Sequence, residues 1–278
     1  MNVASRVAID DALASPTAVV ERGSATPAYK LVADAIERQI LQGTLKTGDV
    51  LPAETALAAQ FGVNRSTVRE GIRSLEQNGL VRREGGKKLF ASRPRHADTA
   101  AQVSRAMLLH DVTFLNLWET IAALEPVAAA LATERATEQE IAALEDNLLR
   151  TQRSLANRES LTELDIEFHH LVAVAAHNPA LLLSREPLSH LFYPAFYQVM
   201  DRLNARERLL SAHTRIVECI RNRDMQQART WMDKHIVDFR RGYELADLDI
   251  HAVVDRDLFA PRPAADNHPG VSGPTSPT

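Results

Sequence analysis

The chain has 278 residues, 45% hydrophobic and 24% charged, with a net charge of −4. That length accommodates two ordinary domains with separate cores, and no apolar run approaches 18 residues, so a membrane-spanning helix is not expected. One cysteine, Cys219, excludes an internal disulfide and suits a reducing, cytoplasmic setting. Residues 1–23 lack the basic start and apolar core of a secretory leader. Charge is uneven: residues 27–96 hold 12 Lys/Arg against 7 Asp/Glu, while the remainder is strongly acidic. A basic segment on an acidic body fits a polyanionic partner held at one end.

In chain order, residues 1–26 lack periodicity and are expected to be a disordered tail. Residues 29–42 read as a helix with Val32, Ile36 and Ile40 inward, stopped by Gly43. Leu57, Ala58 and Phe61 form a second helical stripe, broken at Gly62. Asn64 is a good N-cap, which leaves Arg65, Ser66 and Thr67 in the exposed first turn of a third helix. Val68, Ile72 and Leu75 give that helix one buried face, with Arg65, Arg69 and Arg73 projecting elsewhere. Asn78-Gly79 ends it. Leu80-Val81 begins a strand, Gly85-Gly86 turns it, and Leu89-Phe90 begins the return. A helix N-terminus offering hydroxyls, arginines and free amides suits phosphates and major-groove base edges, and the basic hairpin would serve as a wing. A solvated helix face beside an ordinary turn is the competing interpretation. The ordered succession of helix, turn, helix and basic hairpin favours DNA.

This stretch resembles the winged helix-turn-helix of the GntR family of bacterial transcription regulators. The resemblance rests on Gly43, Gly48, Leu51-Pro52-Ala53-Glu54, Leu57-Ala58, the run from Gly62 to Glu70, Leu75, Gly79-Leu80-Val81 and Gly86. It implies that Arg65 and Arg69 contact guanines or phosphates, that Ser66 and Thr67 contact backbone, and that Gly86 lets the wing approach the minor groove. The expected DNA-contacting set is Arg65, Ser66, Thr67, Arg69 and Arg73, with Gly86 and Lys87 on the wing. Two positions depart from the family pattern: Thr55 stands where many members carry an arginine, and Ala53 where a serine often caps the helix.

Residues 93–98, around Pro94, read as a linker, and beyond them almost nothing suggests a strand. Seven helical segments are expected at 99–109, 113–135, 137–157, 161–176, 180–203, 205–222 and 225–248, with Pro187 and Pro194 kinking or splitting the fifth. The fold class is therefore mainly α: an N-terminal winged helix-turn-helix over 27–92, with a small β-hairpin wing, and a C-terminal all-α antiparallel bundle over 99–250. Residues 251–278 are expected to be a disordered tail.

Asp165 and His169, four apart, stack a carboxylate and an imidazole on one helix face, a spacing that suits two metal ligands; an ordinary surface pair is the alternative. His213 and His235 sit in consecutive helices whose connection, 222–224, contains their midpoint. If those helices fold back antiparallel, both imidazoles reach the same height. Each lies on an otherwise apolar stripe, Ile216 and Ile220 for the first, Trp231 and Phe239 for the second. Buried polar groups need partners, and a shared ion would satisfy all four.

The bundle also resembles the ligand-binding domain of the FadR-type branch, often called FCD, through Leu124-Glu125-Pro126, residues 132–137, Asp165, Phe168-His169, Asn178-Pro179, His213 and His235. That resemblance implies a divalent ion on Asp165, His169, His213 and His235, with a small carboxylate effector completing its shell. Zn is the first choice, and Ni or Mn also suits the donor set. Ile121 stands where many members have an arginine facing the pocket, so an effector carboxylate would need another cation or the metal alone. Together these readings predict a cytoplasmic, ligand-responsive repressor. It would act as a homodimer that binds operator DNA and an organic acid, with no membrane partner and no catalytic role. A metal-dependent hydrolase or lyase fused to a DNA-binding module is the enzymatic alternative, with Glu167 the nearest, differently directed base. A purely structural ion is the third possibility.

Overall fold

The computed structural model describes residues 26–86, 88–193, 199 and 205–255. The chain divides into two compact units, Met1–Thr99 and Ala100–Thr278. In the first unit α1 (Ala28–Leu41), α2 (Glu54–Phe61) and α3 (Arg65–Gln77) precede a hairpin of β1 (Val81–Glu84) and β2 (Lys88–Ala91). The hairpin is antiparallel, with Val81 opposite Ala91 and Glu84 opposite Lys88.

Local sequence explains each boundary. Gly62, at φ 64°, takes the left-handed C-cap of α2. The Asn64 side chain accepts from Thr67 N at 2.9 Å and starts α3. Ala53 precedes α2 with no side-chain cap, as its departure from serine implied. Val32, Ile36, Leu57, Val68, Ile72, Leu75, Val81 and Leu89 close into one core. Gly71 is required where α3 crosses α1, because a Cβ there would lie 2.8 Å from the Tyr29 carbonyl oxygen.

Helix α4 (His96–Leu109) begins inside the stretch expected to be linker, so the irregular part is shorter than 93–98. Arg95 donates to Asp98 at 2.8 Å in the opening turn, a local pairing that favours the early start. Among the described residues six more named helices follow: α5 (Phe114–Arg135), α6 (Glu138–Arg153), α7 (Arg158–Ala175), α8 (Pro179–Phe192), α9 (Ala205–Arg221) and α10 (Met225–Leu245). Reciprocal capping boxes start two of them, Thr113 with Asn116 and Thr137 with Glu140. Helix α5 packs against α7, α8, α9 and α10, and so lies at the centre of the bundle.

Two expectations need correction. Helix α8 runs through Pro187 without splitting there. Pro194 and the rest of 194–204, Val199 apart, lie outside the described residues. Residues 251–255 are not a loose tail. Phe114 N donates to Ala252 O at 3.2 Å, Leu115 N to Ile250 O at 2.9 Å, and Val254 N to Val112 O at 3.0 Å. The returning chain thereby satisfies amides that the first turn of a helix cannot pair internally. By length and composition alone α5 would pass for a membrane-spanning helix, although Glu119 and Glu125 interrupt its apolar run. Its Ile121, Ala128, Ala129 and Ala132 are instead buried against neighbouring helices, and it carries the buried Glu125.

Candidate metal centre and DNA-binding face

Four side chains converge inside the bundle. Helix α7 contributes Asp165 and His169 one turn apart. Helices α9 and α10, joined through Arg223 at φ 58°, contribute His213 and His235. His169 Nε2 and His213 Nε2 each lie 3.2 Å from His235 Nε2. Asp165 Oδ1 lies 3.3 Å from His213 Nε2 and 3.8 Å from His169 Nε2. One atom from each residue thus falls within 4.8 Å of every other. Donors on a four-coordinate ion with bonds near 2.0–2.1 Å stand about 3.4 Å apart, so the spacing fits one small divalent cation.

The hydrogen bonding around these atoms points the same way. His169 Nδ1 faces Glu125 Oε2 at 3.1 Å, which places the ring proton on Nδ1 and turns the Nε2 lone pair toward the other donors. Asp165 Oδ1 is buried and has no hydrogen-bond partner. Burial pushes its carboxyl pKa up, so the ionised form needs a cation beside it. Burial pushes His213 well below its ordinary value, and neighbouring His169 adds to this. His235 is lowered by burial and then by His213 and His169. Both imidazoles are therefore neutral near pH 7, the form that ligates metals. The residues present fit such an ion.

Sequence reasoning missed the layer behind His169. Glu125 is fully buried; burial raises its pKa, but Arg185 and His169 outweigh burial and hold it at about 2. Arg185 Nε donates to Glu125 Oε1 at 2.8 Å, and the Tyr193 hydroxyl donates to the same oxygen at 3.3 Å. The Tyr193 ring stacks on His169 with centroids 4.7 Å apart. One signal was present: Leu181, Arg185, Leu188 and Phe192 share a helical stripe, so Arg185 belonged on a buried face. His170 points to Glu186 at 3.3 Å, away from the cluster. Glu167 is held by Arg150 at 2.6 and 2.8 Å. His235 borders a groove of about 440 Å³ lined also by Arg208, Ser211, Trp231 and Lys234.

In the first unit Arg65, Ser66, Arg69 and Arg73 are exposed along α3, and Thr67 is half-buried. The Ser66 and Thr67 hydroxyls both donate to Asn64 Oδ1 at 2.7 Å, so either must leave Asn64 to reach a phosphate. Gly86, at φ 75°, is exposed on the hairpin turn; Lys87 lies outside the described residues. Arg83, unremarked from sequence, bonds Glu54 and Glu76 at 3.1 Å each and ties the hairpin to α2 and α3.

The family pattern described as bacterial regulatory proteins, gntR family, matches residues 28–90, and the FCD domain pattern matches residues 116–238. The chain belongs to the GntR family. Its relatives are regulators rather than enzymes. The Glc operon transcriptional activator of Escherichia coli strain K12 is 23% identical over 237 residues, covering 82% of this chain and 93% of that protein. The HTH-type transcriptional repressor NanR of Salmonella schwarzengrund is 29% identical over 213 residues, covering 74% and 81%. Among solved structures, a GntR protein of Streptococcus agalactiae is 27% identical with a TM-score of 0.58, covering 77% of this chain and 99% of that one. As a GntR regulator with an FCD domain, this protein pairs a DNA-binding unit with a helical ligand-responsive one.

Proposed function

We propose that this GntR regulator is a cytoplasmic, homodimeric repressor. Its helical unit, over 99–250, would hold a divalent ion, Zn before Ni or Mn, on Asp165, His169, His213 and His235. An organic acid would bind at that ion and release the operator from the unit over 27–92. The observation carrying the reading is the convergence of three Nε2 atoms and one carboxylate oxygen at 3.2–3.8 Å in a buried site. A regulator reading is favoured over a hydrolytic one because neither further carboxylate is free to act as a base: Glu125 is engaged by Arg185 and His169, and Glu167 by Arg150. Repression is supported by the relatives named as repressors, and an effector acid by the need for an anion beside a buried cation.

On the DNA side, Arg65, Ser66, Thr67, Arg69 and Arg73 with Gly86 and Lys87 form the contact set, and two copies would read a two-fold operator. The effector shifts the population between arrangements of the two DNA-binding units, by its differential affinity for them. The test is operator affinity of the zinc-loaded protein across a panel of small metabolite acids, with thermal stability measured in parallel. The expected result is an acid that raises stability and weakens operator binding. Operator binding that no acid changes, with full zinc occupancy, would leave only a structural ion.

A further inference from the structure

The group needing explanation is Arg185. Its side chain is 1% exposed, and its Nη2 is buried with no hydrogen-bond partner. Nε is committed to Glu125 at 2.8 Å, and Nη1 reaches Glu186 at 3.3 Å. An arginine is charged at every relevant pH, and a buried guanidinium nitrogen without a well-placed acceptor is costly; the neighbouring Tyr193 hydroxyl, which donates to Glu125, does not meet Nη2 in good geometry.

The position of this guanidinium is informative. Glu125 joins Arg185 to His169, so the cation stands one carboxylate away from a metal-ligand ring. On α5, the residue one turn before Glu125 on the same face is Ile121, fully buried and without charge. A buried cation therefore reaches Glu125 from α8 and not from α5. The buried charges also leave room for an anion. Glu125 and Asp165 bring two negative charges, while Arg185 and a divalent ion bring three positive. The next carboxylate, Glu186, is 17% exposed at the rim and shared with His170.

We propose that Arg185 anchors the effector: its Nη2 donates to an effector carboxylate, while Nε stays on Glu125. The inference rests on the metal-binding reading above and names the protein group that recognises the acid. It makes Arg185 a determinant of specificity for anions over neutral isosteres, since an amide in place of the carboxylate offers a single oxygen and no charge.

Acetate and its neutral isostere acetamide serve as probes, titrated calorimetrically into the zinc-loaded full chain and into its Arg185→Lys variant. Lysine keeps a cation beside Glu125 but lacks the planar fork that serves two acceptors at once. Wild type should prefer acetate to acetamide, and Arg185→Lys should bind acetate at least ~10-fold more weakly at unchanged zinc stoichiometry. Equal acetate affinity in the variant, or no acetate preference in wild type, would overturn the assignment and leave a buried water as the acceptor. If the variant does not fold, ¹⁵N-arginine side-chain spectra of zinc-loaded wild type decide. Acetate should shift the Nη signal of a buried arginine, and an unchanged spectrum refutes the anchor. A wild type that takes up no zinc fails the metal reading itself, and this inference with it.

Discussion

At the residue scale the site depends on which nitrogen of each imidazole is free. Glu125 fixes His169 by accepting from Nδ1, and Arg185 keeps Glu125 ionised, so Nε2 is presented without a proton. Glu125→Gln should therefore lower zinc affinity by about 10–100-fold, the usual cost of losing an outer-layer partner. Competition against a chromophoric chelator measures it, and an unchanged constant would remove Glu125 from the assembly. His213→Ala should reduce zinc content outright, read by elemental analysis. On α3, Arg69→Ala should cost roughly 1–3 kcal/mol of operator affinity, the scale of one base contact. The same affinity as wild type would withdraw that arginine from the interface. Asp165, His169, His213 and His235 were legible because helical spacing and a short turn place them by arithmetic. Arg185 and Glu125 were not, since their pairing joins α8 to α5 across 60 residues of chain and leaves no local pattern.

Elements were readable where punctuation was strong. Asn64, Gly62, Thr113, Thr137, Asn178 and Asp224 each start or stop a helix by side chain or by positive φ, and each stood in the sequence beside an apolar stripe. At Pro187 the ring does not split α8, and no local pattern in the sequence separates that outcome from a break. Contact between elements not joined by a short turn was not readable. Nothing local says that Gly71 must be glycine, yet α3 approaches α1 too closely for a Cβ. Gly71→Ala should destabilise the DNA-binding unit by about 1–3 kcal/mol, as overpacking does when the obstacle is backbone. A denaturant midpoint equal to wild type would show that α1 moves aside freely.

Across the whole molecule, charge and titration separate the two units. The first carries the basic excess, whereas the second buries the four groups of the candidate metal cluster, whose protonation is linked to its folding. For metal-stripped protein, His213 and His235 have folded pKa values well below the unfolded value of about 6.5. The unfolded chain then binds more protons, so their contribution is complete above that value and is lost as pH falls below it. Asp165, raised by burial, works in the opposite sense, because its folded form takes up a proton first. Glu125, held at about 2, contributes fully above the unfolded carboxylate range and loses that contribution progressively as pH falls from there toward 2. Two histidines against one aspartate predict a lower urea midpoint at pH 5 than at pH 7. A flat profile would mean that the imidazoles are protonated in the fold.

The pairing of residues 250–254 with the opening of α5 acts as a clasp at the foot of the bundle's central rod. Trimming the polypeptide back to Asp249 would unfasten Phe114 and Leu115 and loosen the rod that holds Glu125 against His169. Trimming only beyond Asp255 would leave the fastening whole. Metal retention would thus be sensitive to a handful of residues far along the chain that touch no ligand.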